Sequence, residues 1–190
     1  VNRDGQIDIL VGDLWYEAPK YEPHEIRKGG DYKFDKGYSN SFTVWAYDVN
    51  QDGWDDQIVV GFPGKPLHWY ENPKNKTGHW PQHEIHQEAS NESPWFANLV
   101  GDERPEVLLG SGARLGSEPW SFHPLGEKGD PDKNGSATYY HGLGMGDVNG
   151  DGHTDVVIPH GWYEAPPDND SSWKFHPITV SPAAKDGAYR

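Results

Sequence analysis

Four short apolar runs recur along the chain, and each directly follows a stretch rich in acidic residues and glycine. The runs occupy residues 9–11, 58–60, 107–109 and 156–158. Such short runs, bounded by turn-forming residues, favour β-strands, because a buried helix would need a longer apolar pattern. The 23 glycines and 16 prolines among 190 residues also interrupt helices. The pattern therefore predicts an all-β chain of short strands.

The acidic stretch before each run follows one pattern, Asp-x-Asn-x-Asp-Gly-x-x-Asp. Residues 48–56 and 147–155 are nearly complete copies, residues 1–8 begin inside the pattern, and residues 98–106 are a decayed copy. The copies end on carboxylates that lie 48, 50 and 49 residues apart. These carboxylates belong to Asp8, Asp56, Glu106 and Asp155. Such an even period indicates a repeat architecture.

Two further elements recur in each unit. A Trp-Tyr-Glu motif begins at Trp15, Trp69 and Trp162, and Trp120 is its weak fourth member. A histidine follows near the end of each unit, at His24, His83, His123 and His176. Each unit therefore reads as four strands: A leads into the acidic loop, B is the apolar run, C carries Trp-Tyr, and D carries the histidine. Because large flat side chains suit packing between sheets, we interpret these aromatic residues and histidines as structural.

Four strands in about 50 residues predict a β-propeller of four-stranded antiparallel blades, with a solenoid as the alternative. The four repeats of about 49 residues form one segment of a single domain, residues 1–190. The predicted blades span residues 1–37, 38–88, 89–135 and 136–180.

The acidic loop followed by an apolar strand resembles the FG-GAP repeats, also called VCBS repeats, which include the calcium-binding blades of integrin α-subunit propellers. The resemblance covers essentially the whole chain as four units. It implies a seven-bladed propeller in an exported or cell-surface protein. Since the first unit lacks strand A and residues 181–190 stop where another strand A is expected, we expect about half of a larger propeller, without its natural N-terminus. A closed four-bladed ring with one strand missing is the alternative.

Charge and composition narrow the function classes. The formal net charge of −14 leaves no basic surface of the kind that nucleic-acid binding needs. The absence of cysteine excludes disulfides, thiol catalysis and zinc–thiolate sites. No apolar stretch approaches the roughly 18 residues of a membrane span, so we expect none. Glycosylation sequons at Asn75, Asn91, Asn134 and Asn169 favour a secreted protein, and together with the resemblance they lead us to expect an extracellular, periplasmic or cell-surface location. The oligomeric state stays open.

The acidic loops are candidate cation sites. Side-chain oxygens at loop positions 1, 3, 5 and 9 and the carbonyl at position 7 can converge on one ion, and the glycine at position 6 permits the sharp turn. Oxygen ligands favour Ca²⁺, with Mg²⁺ as a weaker option. The predicted ligands are Asn2, Asp4 and Asp8 in the first loop, Asp48, Asn50, Asp52, Asp56 and the Trp54 carbonyl in the second, and Asp147, Asn149, Asp151, Asp155 and the His153 carbonyl in the fourth. The decayed loop, with Glu103 at the glycine position, is expected to form a hydrogen-bonded turn without an ion. A metal-free turn is the alternative for the other loops.

The opposite end of the sheets holds the residues that do not repeat. In a four-stranded meander, the A–B and C–D connections share one end, called here the acidic end, and the B–C and D–A connections share the opposite end. Extra residues around 62–68 and 111–118 predict longer B–C loops at the opposite end. Irregular loops on a regular scaffold commonly carry function. We therefore expect a glycan or protein ligand to bind at this end.

A sugar-active enzyme is the alternative function. His141 or Tyr140 would move a proton, Glu92 would assist, and Arg114 would neutralise a carboxylate or polarise a carbonyl. Some propeller polysaccharide lyases, and the aldos-2-ulose dehydratases that carry similar repeats, perform such chemistry. The competing interpretation is a solvated channel mouth whose polar residues only cap strand ends.

Overall fold

The computed structural model describes residues 1–89, 92–110, 113–116, 120–126, 135, 138–139, 141–168 and 172–178. All fifteen elements in these residues are β-strands, which confirms the all-β prediction. They form four antiparallel sheets, and in each sheet the strands are neighbours in chain order.

The sheets are numbered along the chain. Sheet 1 contains β1 (Ile9–Val11), β2 (Leu14–Glu17) and β3 (Glu22–Glu25). Sheet 2 contains β4 (Thr43–Tyr47), β5 (Asp56–Val60), β6 (Lys65–Tyr70) and β7 (Gln82–Ala89). Sheet 3 contains β8 (Trp95–Ala97), β9 (Glu106–Leu109), β10 (Ala113–Gly116) and β11 (Ser121–Pro124). Sheet 4 contains β12 (Gly144–Gly146), β13 (Asp155–Ile158), β14 (Gly161–Glu164) and β15 (Lys174–Pro177).

The predicted strand roles largely agree with these sheets. The apolar runs lie in β1, β5, β9 and β13, and the Trp-Tyr pairs lie in β2, β6 and β14. Trp120 is an exception, because it precedes β11 and does not lie on the third strand of sheet 3. In the register, Arg114 of β10 pairs with His123, as Trp69 of β6 pairs with His83.

The extra residues of the second unit lengthen strands more than the loop between them. Only residues 61–64 separate β5 from β6, whereas β6 has six residues and β7 has eight. The pairing of β6 with β7 shifts register near Leu67, which accommodates the added length. His68 therefore lies on a strand, and the predicted loop at 62–68 is wrong over most of its length. In sheet 3, residues 113–116 of the second predicted loop likewise form β10.

Consecutive sheets pack face to face through three apolar clusters. Val59 and Tyr70 of sheet 2 pack with Leu10 and Trp15 of sheet 1. The other face of sheet 2 joins sheet 3 through a cluster of Ile58, Val60, Leu67, Trp69, Val107 and Leu109. Sheet 3 joins sheet 4 through a cluster of Leu99, Leu108, Leu125, Val156, Ile158 and Tyr163.

Burial along the strands follows from this stacking. Every residue of β5 and β9 is buried, because sheets 2 and 3 are covered on both faces. In β1, Ile9 and Val11 remain 47% and 51% exposed, because only the face bearing Leu10 is covered. No closed ring of sheets is formed by the described residues, and the predicted blade limits stay a prediction.

Candidate functional site

The last carboxylate of each complete acidic loop is buried and holds two backbone segments together. Asp56 Oδ2 accepts a hydrogen bond from the Val49 N–H at 3.0 Å, and Oδ1 accepts one from the Asn72 N–H at 2.7 Å. Asp155 makes the equivalent bonds with the N–H groups of Val148, at 2.8 Å, and Ala165, at 2.9 Å. Both carboxylates are 0% exposed, so these charge-assisted bonds form away from water.

The two irregular loops keep the same contact. Asp8 Oδ1 accepts from the Ala18 N–H at 2.9 Å, and Oδ2 lies 3.0 Å from the terminal nitrogen of Val1, which has the loop position of Val49. In the decayed loop, Glu106 Oε2 accepts from the Leu99 N–H at 2.8 Å. The contact between loop positions 2 and 9 is thus present in all four sheets.

This contact explains why two sequence motifs recur together. The amides of Ala18, Asn72 and Ala165 belong to the residue that follows each Trp-Tyr-Glu. One carboxylate therefore joins the start of its acidic loop to the end of strand C. Sequence reasoning assigned the carboxylate to a metal ion and missed this role, although the constant pairing of the two motifs was a visible signal.

The side-chain oxygens at positions 1 and 3 of the two complete loops accept hydrogen bonds from the backbone of their own loop. Asp48 accepts from the N–H groups of Asp52, at 2.9 Å, and Gly53, at 2.8 Å, and Asn50 Oδ1 also accepts from the Asp52 N–H, at 3.1 Å. The fourth loop repeats these bonds through Asp147 and Asn149. The oxygens at positions 1 and 3 therefore converge on the same amide.

Glycine permits this turn at loop position 6. The φ angles of Gly53 and Gly152 are 88° and 90°, in the left-handed region that side chains strain to adopt. The decayed loop has Glu103 at this position, and its Asn98 Oδ1 accepts instead from the Gly101 N–H at 2.7 Å. A directly hydrogen-bonded turn is what the sequence predicted there.

Negative charge accumulates in the second loop. Burial raises the pKa of Asp56 to about 7; the hydrogen bonds from Asn72 and Val49 oppose the shift, and the charges of Asp52 and Asp48 add to it. Lys74 Nζ lies 2.9 Å from Asp52 Oδ2. Burial alone would raise the pKa of Asp52, but its hydrogen bonds, that from Lys74 foremost, outweigh it and lower the pKa.

The donor set of the complete loops suits a hard cation, because it consists of carboxylate, amide and carbonyl oxygens. Across the described part of the chain, however, no three His, Asp or Glu side chains are grouped in a geometry that could hold a metal ion. In this structure the loop side chains accept hydrogen bonds from backbone N–H groups. Their assignment as metal ligands stays a prediction.

At the opposite end, the structure brings together two of the four predicted catalytic residues. His141 Nε2 lies 3.0 Å from Glu92 Oε2, and the two side chains are 71% and 30% exposed. Tyr140 lies outside the described residues. Arg114 lies on the interior strand β10, where it pairs with Leu108 on one side and His123 on the other, and its side chain is outside what is described.

Four aromatic rings form a cluster at the same end of the sheets. Phe62 contacts Tyr38, Phe42 and Tyr139 with ring centroids 5.8, 5.5 and 6.0 Å apart. Tyr38 is 72% exposed. The rings come from the B–C turn of sheet 2 and from the segments leading into sheets 2 and 4, so three parts of the chain meet here.

An arginine that sequence reasoning missed lies between sheets 1 and 2. The Nε of Arg27 donates to Asp13 Oδ1 at 2.6 Å, and its Nη1 donates to the Tyr70 hydroxyl at 2.6 Å. Burial alone would lower its pKa, but the bonds to Tyr70 and Asp13 raise the pKa above its usual value. Arg27 also borders a cavity of about 590 Å³. No motif identified it, because it has no counterpart in the other units.

Comparison with known proteins identifies the repeat. Residues 48–109 match the family model of the FG-GAP-like repeat. The similarity to this repeat is shown for that segment, about a third of the chain. The match runs from the acidic loop of sheet 2 to the end of β9, so it includes the buried carboxylates of Asp56 and Glu106. No curated protein and no solved structure matches the chain.

The FG-GAP-like repeat region also contains a Trp–His–Glu contact that recurs elsewhere. His83 stacks on Trp69 at 4.4 Å between ring centroids, and its Nε2 lies 3.1 Å from Glu71 Oε2. Trp15, His24 and Glu17 repeat this contact in sheet 1, and Trp162, His176 and Glu164 repeat it in sheet 4. These three histidines thus pack on the tryptophan of their own sheet, as a structural role requires, whereas the fourth, His123, has Arg114 as its cross-strand partner. Among the described residues, no helix is long and apolar enough to cross a membrane.

Proposed function

We propose that the chain is a calcium-binding segment of a β-propeller in an exported protein, and that the end opposite the acidic loops binds a glycan or protein ligand. One observation carries this proposal: the side-chain contacts at the acidic end repeat from sheet to sheet, whereas the side-chain contacts of His141 and Arg27 at the opposite end have no counterpart in another described sheet. Repeated contacts serve the scaffold, and unique contacts on a regular scaffold are typical of binding sites.

The propeller is supported by the stacking of the sheets. Four antiparallel sheets follow one another in chain order and pack face to face, as blades do. A further blade against sheet 1 would cover Ile9 and Val11, whose apolar side chains are now about half exposed. A seven-bladed ring would supply such a neighbour.

Calcium binding is supported by the charge of the loops. Asp48, Asp52 and Asp56 lie close enough for the first two to raise the pKa of the third. A cation at the oxygens of positions 1, 3 and 5 would offset this repulsion, and Ca²⁺ accepts such mixed oxygen ligands more readily than Mg²⁺. Each carboxylate oxygen keeps a second lone pair beside its backbone hydrogen bond. The millimolar calcium outside cells suits an exported protein with loops of this type.

Calcium titration of metal-stripped protein tests this part. We expect Ca²⁺ to raise the thermal midpoint and EGTA to reverse the rise, because ligands that bind only the folded state stabilise it. Asp48→Ala should remove one calcium equivalent in isothermal titration. Asn98→Ala, at the same position of the decayed loop, is the matched control and should leave the stoichiometry unchanged. Equal midpoints in calcium and in EGTA would contradict the proposal.

Ligand binding at the opposite end needs a separate test. The protein should retain ligands on a glycan array or in a screen of extracellular proteins, and Tyr38→Ala should weaken that retention. Tyr21→Ala, an exposed tyrosine in the β2–β3 turn at the acidic end, is the control. If Tyr38→Ala and Tyr21→Ala retained the ligand equally well, the binding site would not include Tyr38 at the opposite end.

A sugar-active enzyme is the second candidate, and the contact between His141 and Glu92 favours it. A histidine oriented by a carboxylate can remove a proton from a sugar carbon, and loss of a group from the adjacent carbon would leave an unsaturated sugar. Aldos-2-ulose dehydratases and polysaccharide lyases both form such products.

Ultraviolet absorbance of the unsaturated product would report this activity. His141→Ala should abolish it. His79→Ala should not, although His79, in the C–D connection of sheet 2, forms an equally close and solvent-exposed pair with Glu25 of sheet 1. If no unsaturated product forms from acidic or neutral oligosaccharides, the enzyme candidate is rejected and ligand binding is the remaining proposal.

A further inference from the structure

We propose that the cavity beside Arg27 binds a sugar carrying a carboxylate, of the hexuronate class. This inference rests on the proposed function, because it names the ligand class and a pocket that reaches the end opposite the acidic loops at Phe62 and Lys65. The cavity's volume of about 590 Å³ falls within the range of small-molecule sites and has room for one or two sugar rings.

The cavity lies on the face of sheet 2 that packs against sheet 1. Val59, His68 and Tyr70 form its floor on β5 and β6, and Gln82 of β7 borders it. Arg27 closes one side where the chain leaves sheet 1. The remaining wall comes from the segment that joins the two sheets and from the B–C turn, with Tyr38, Asn40, Phe62 and Lys65.

The lining is unusual for so acidic a chain. Thirty of the 190 residues are Asp or Glu, yet none of the twelve described residues that line the cavity is acidic, whereas Arg27 and Lys65 are basic. Lys65 is exposed and makes no ion pair with the described residues. Although the whole chain is negatively charged, the basic groups at this cavity favour an anionic ligand there.

Among the described residues that line the cavity, Lys65 is the cation without an ion-pair partner. Arg27 is already bonded to Asp13, so it positions Tyr70 and contributes only part of its charge. Burial lowers the pKa of His68; the charge of Glu84 opposes this shift, and the charge of Arg27 adds to it. The imidazole of His68 is therefore mostly neutral at pH 7. One carboxylate is therefore the anion that this lining can neutralise.

The remaining lining suits a ring with hydroxyl groups. Tyr38 exposes most of its ring and is held at 5.5 Å from Phe42 and 5.8 Å from Phe62, so it offers a flat, supported apolar surface. The faces of pyranose rings stack on such surfaces. The Gln82 amide and the neutral His68 ring offer donors and acceptors to hydroxyl groups.

Paired ligands of equal shape give the sharpest test. The probes are trigalacturonate and its methyl ester, which keeps the rings and removes the charge. We expect the acid to bind at least tenfold more tightly by isothermal titration, because hydrogen bonds to a charged group are the stronger ones. Lys65→Gln should remove that difference, and added salt should reduce it. Lys36→Gln, at an exposed lysine in the segment joining sheets 1 and 2, is the matched control and should change neither affinity.

The outcomes separate this inference from the proposed function. Equal affinity for acid and ester, with loss of both in Tyr38→Ala, would overturn the anionic ligand and keep a glycan-binding end. Binding of acid that Lys65→Gln and Tyr38→Ala leave intact would overturn this pocket. If the protein binds another protein but neither sugar, the hexuronate ligand would be wrong, and the proposed ligand binding at the opposite end would stand. The thermal midpoint of each variant shows whether a loss of affinity comes from unfolding.

Discussion

The two ends of the sheets are built on different principles. At the acidic end, a buried carboxylate ties position 2 of the loop to position 9 in all four sheets, even where the loop has decayed around Glu106. At the opposite end, the Arg27 bonds, the aromatic cluster and the contact between His141 and Glu92 each occur once in the described residues. A packing requirement acts alike on every sheet and produces repetition, whereas a ligand touches only some sheets. Repetition therefore distinguishes the scaffold from the candidate binding surface.

The largest expected effect comes from removing a repeated carboxylate. Asp56→Ala should lower the free energy of unfolding by about 3 kcal/mol, because it leaves two buried N–H groups without acceptors. Asp56→Asn keeps one acceptor and should cost about 2 kcal/mol. Urea unfolding measures both changes.

The neighbouring Asp55 provides the control for that experiment. It is exposed, and Asp55→Asn should change the free energy of unfolding by no more than about 0.5 kcal/mol. If Asp56→Asn were equally mild, the buried carboxylate would not be what holds the acidic end together.

A smaller effect is expected from the Trp–His–Glu contact. His83→Ala removes a ring stacked on Trp69 and a partly exposed pair with Glu71, and should cost about 1 kcal/mol. His123→Ala is the matched change in sheet 3, where the cross-strand partner is Arg114 in place of Trp, and should cost less. Equal losses in thermal or urea unfolding would show that the stacked tryptophan contributes nothing.

The smallest expected effect concerns pH and His68, in the cavity beside Arg27. The pKa of His68 is lowered by burial, so the unfolded chain binds this proton more readily than the folded chain does. Stability should therefore decline as pH falls from the ordinary histidine pKa of about 6.5 through the lowered folded value. His68→Gln should make that decline shallower. An unchanged slope in unfolding curves from pH 7 to 5 would contradict the prediction.

Much of the fold could be predicted because the determinants were local and repeated. The apolar runs, the Trp-Tyr pairs and the recurring histidines all lie on strands of the expected kind. The errors fell where repetition failed. Trp120 was assigned to strand C from its identity, although Arg114 holds that place in the register. The added residues near Lys65 were assigned to a loop, but a register shift absorbed them into paired strands.

The candidate site divides in the same way. Spacing alone brought out Asp8, Asp56 and Asp155, but not their bonds to amides ten or sixteen residues away. His141 and Glu92, which sequence reasoning assigned to one candidate site, lie 3.0 Å apart, and each comes six residues before the first position of its acidic loop. Arg27 and its cavity went unnoticed, since nothing in the neighbouring sequence marks them.

By itself, the sequence determined the all-β character, the order of the strands and the positions of the acidic loops. These properties follow from contacts between residues near one another in the chain, which a periodic pattern records. Only the tertiary structure decided that the last loop carboxylates bind backbone amides, and that Arg27, one face of sheet 2 and the segment joining sheets 1 and 2 line one cavity. Those features depend on which faces of separate sheets meet, and packing between distant segments leaves no period in the sequence.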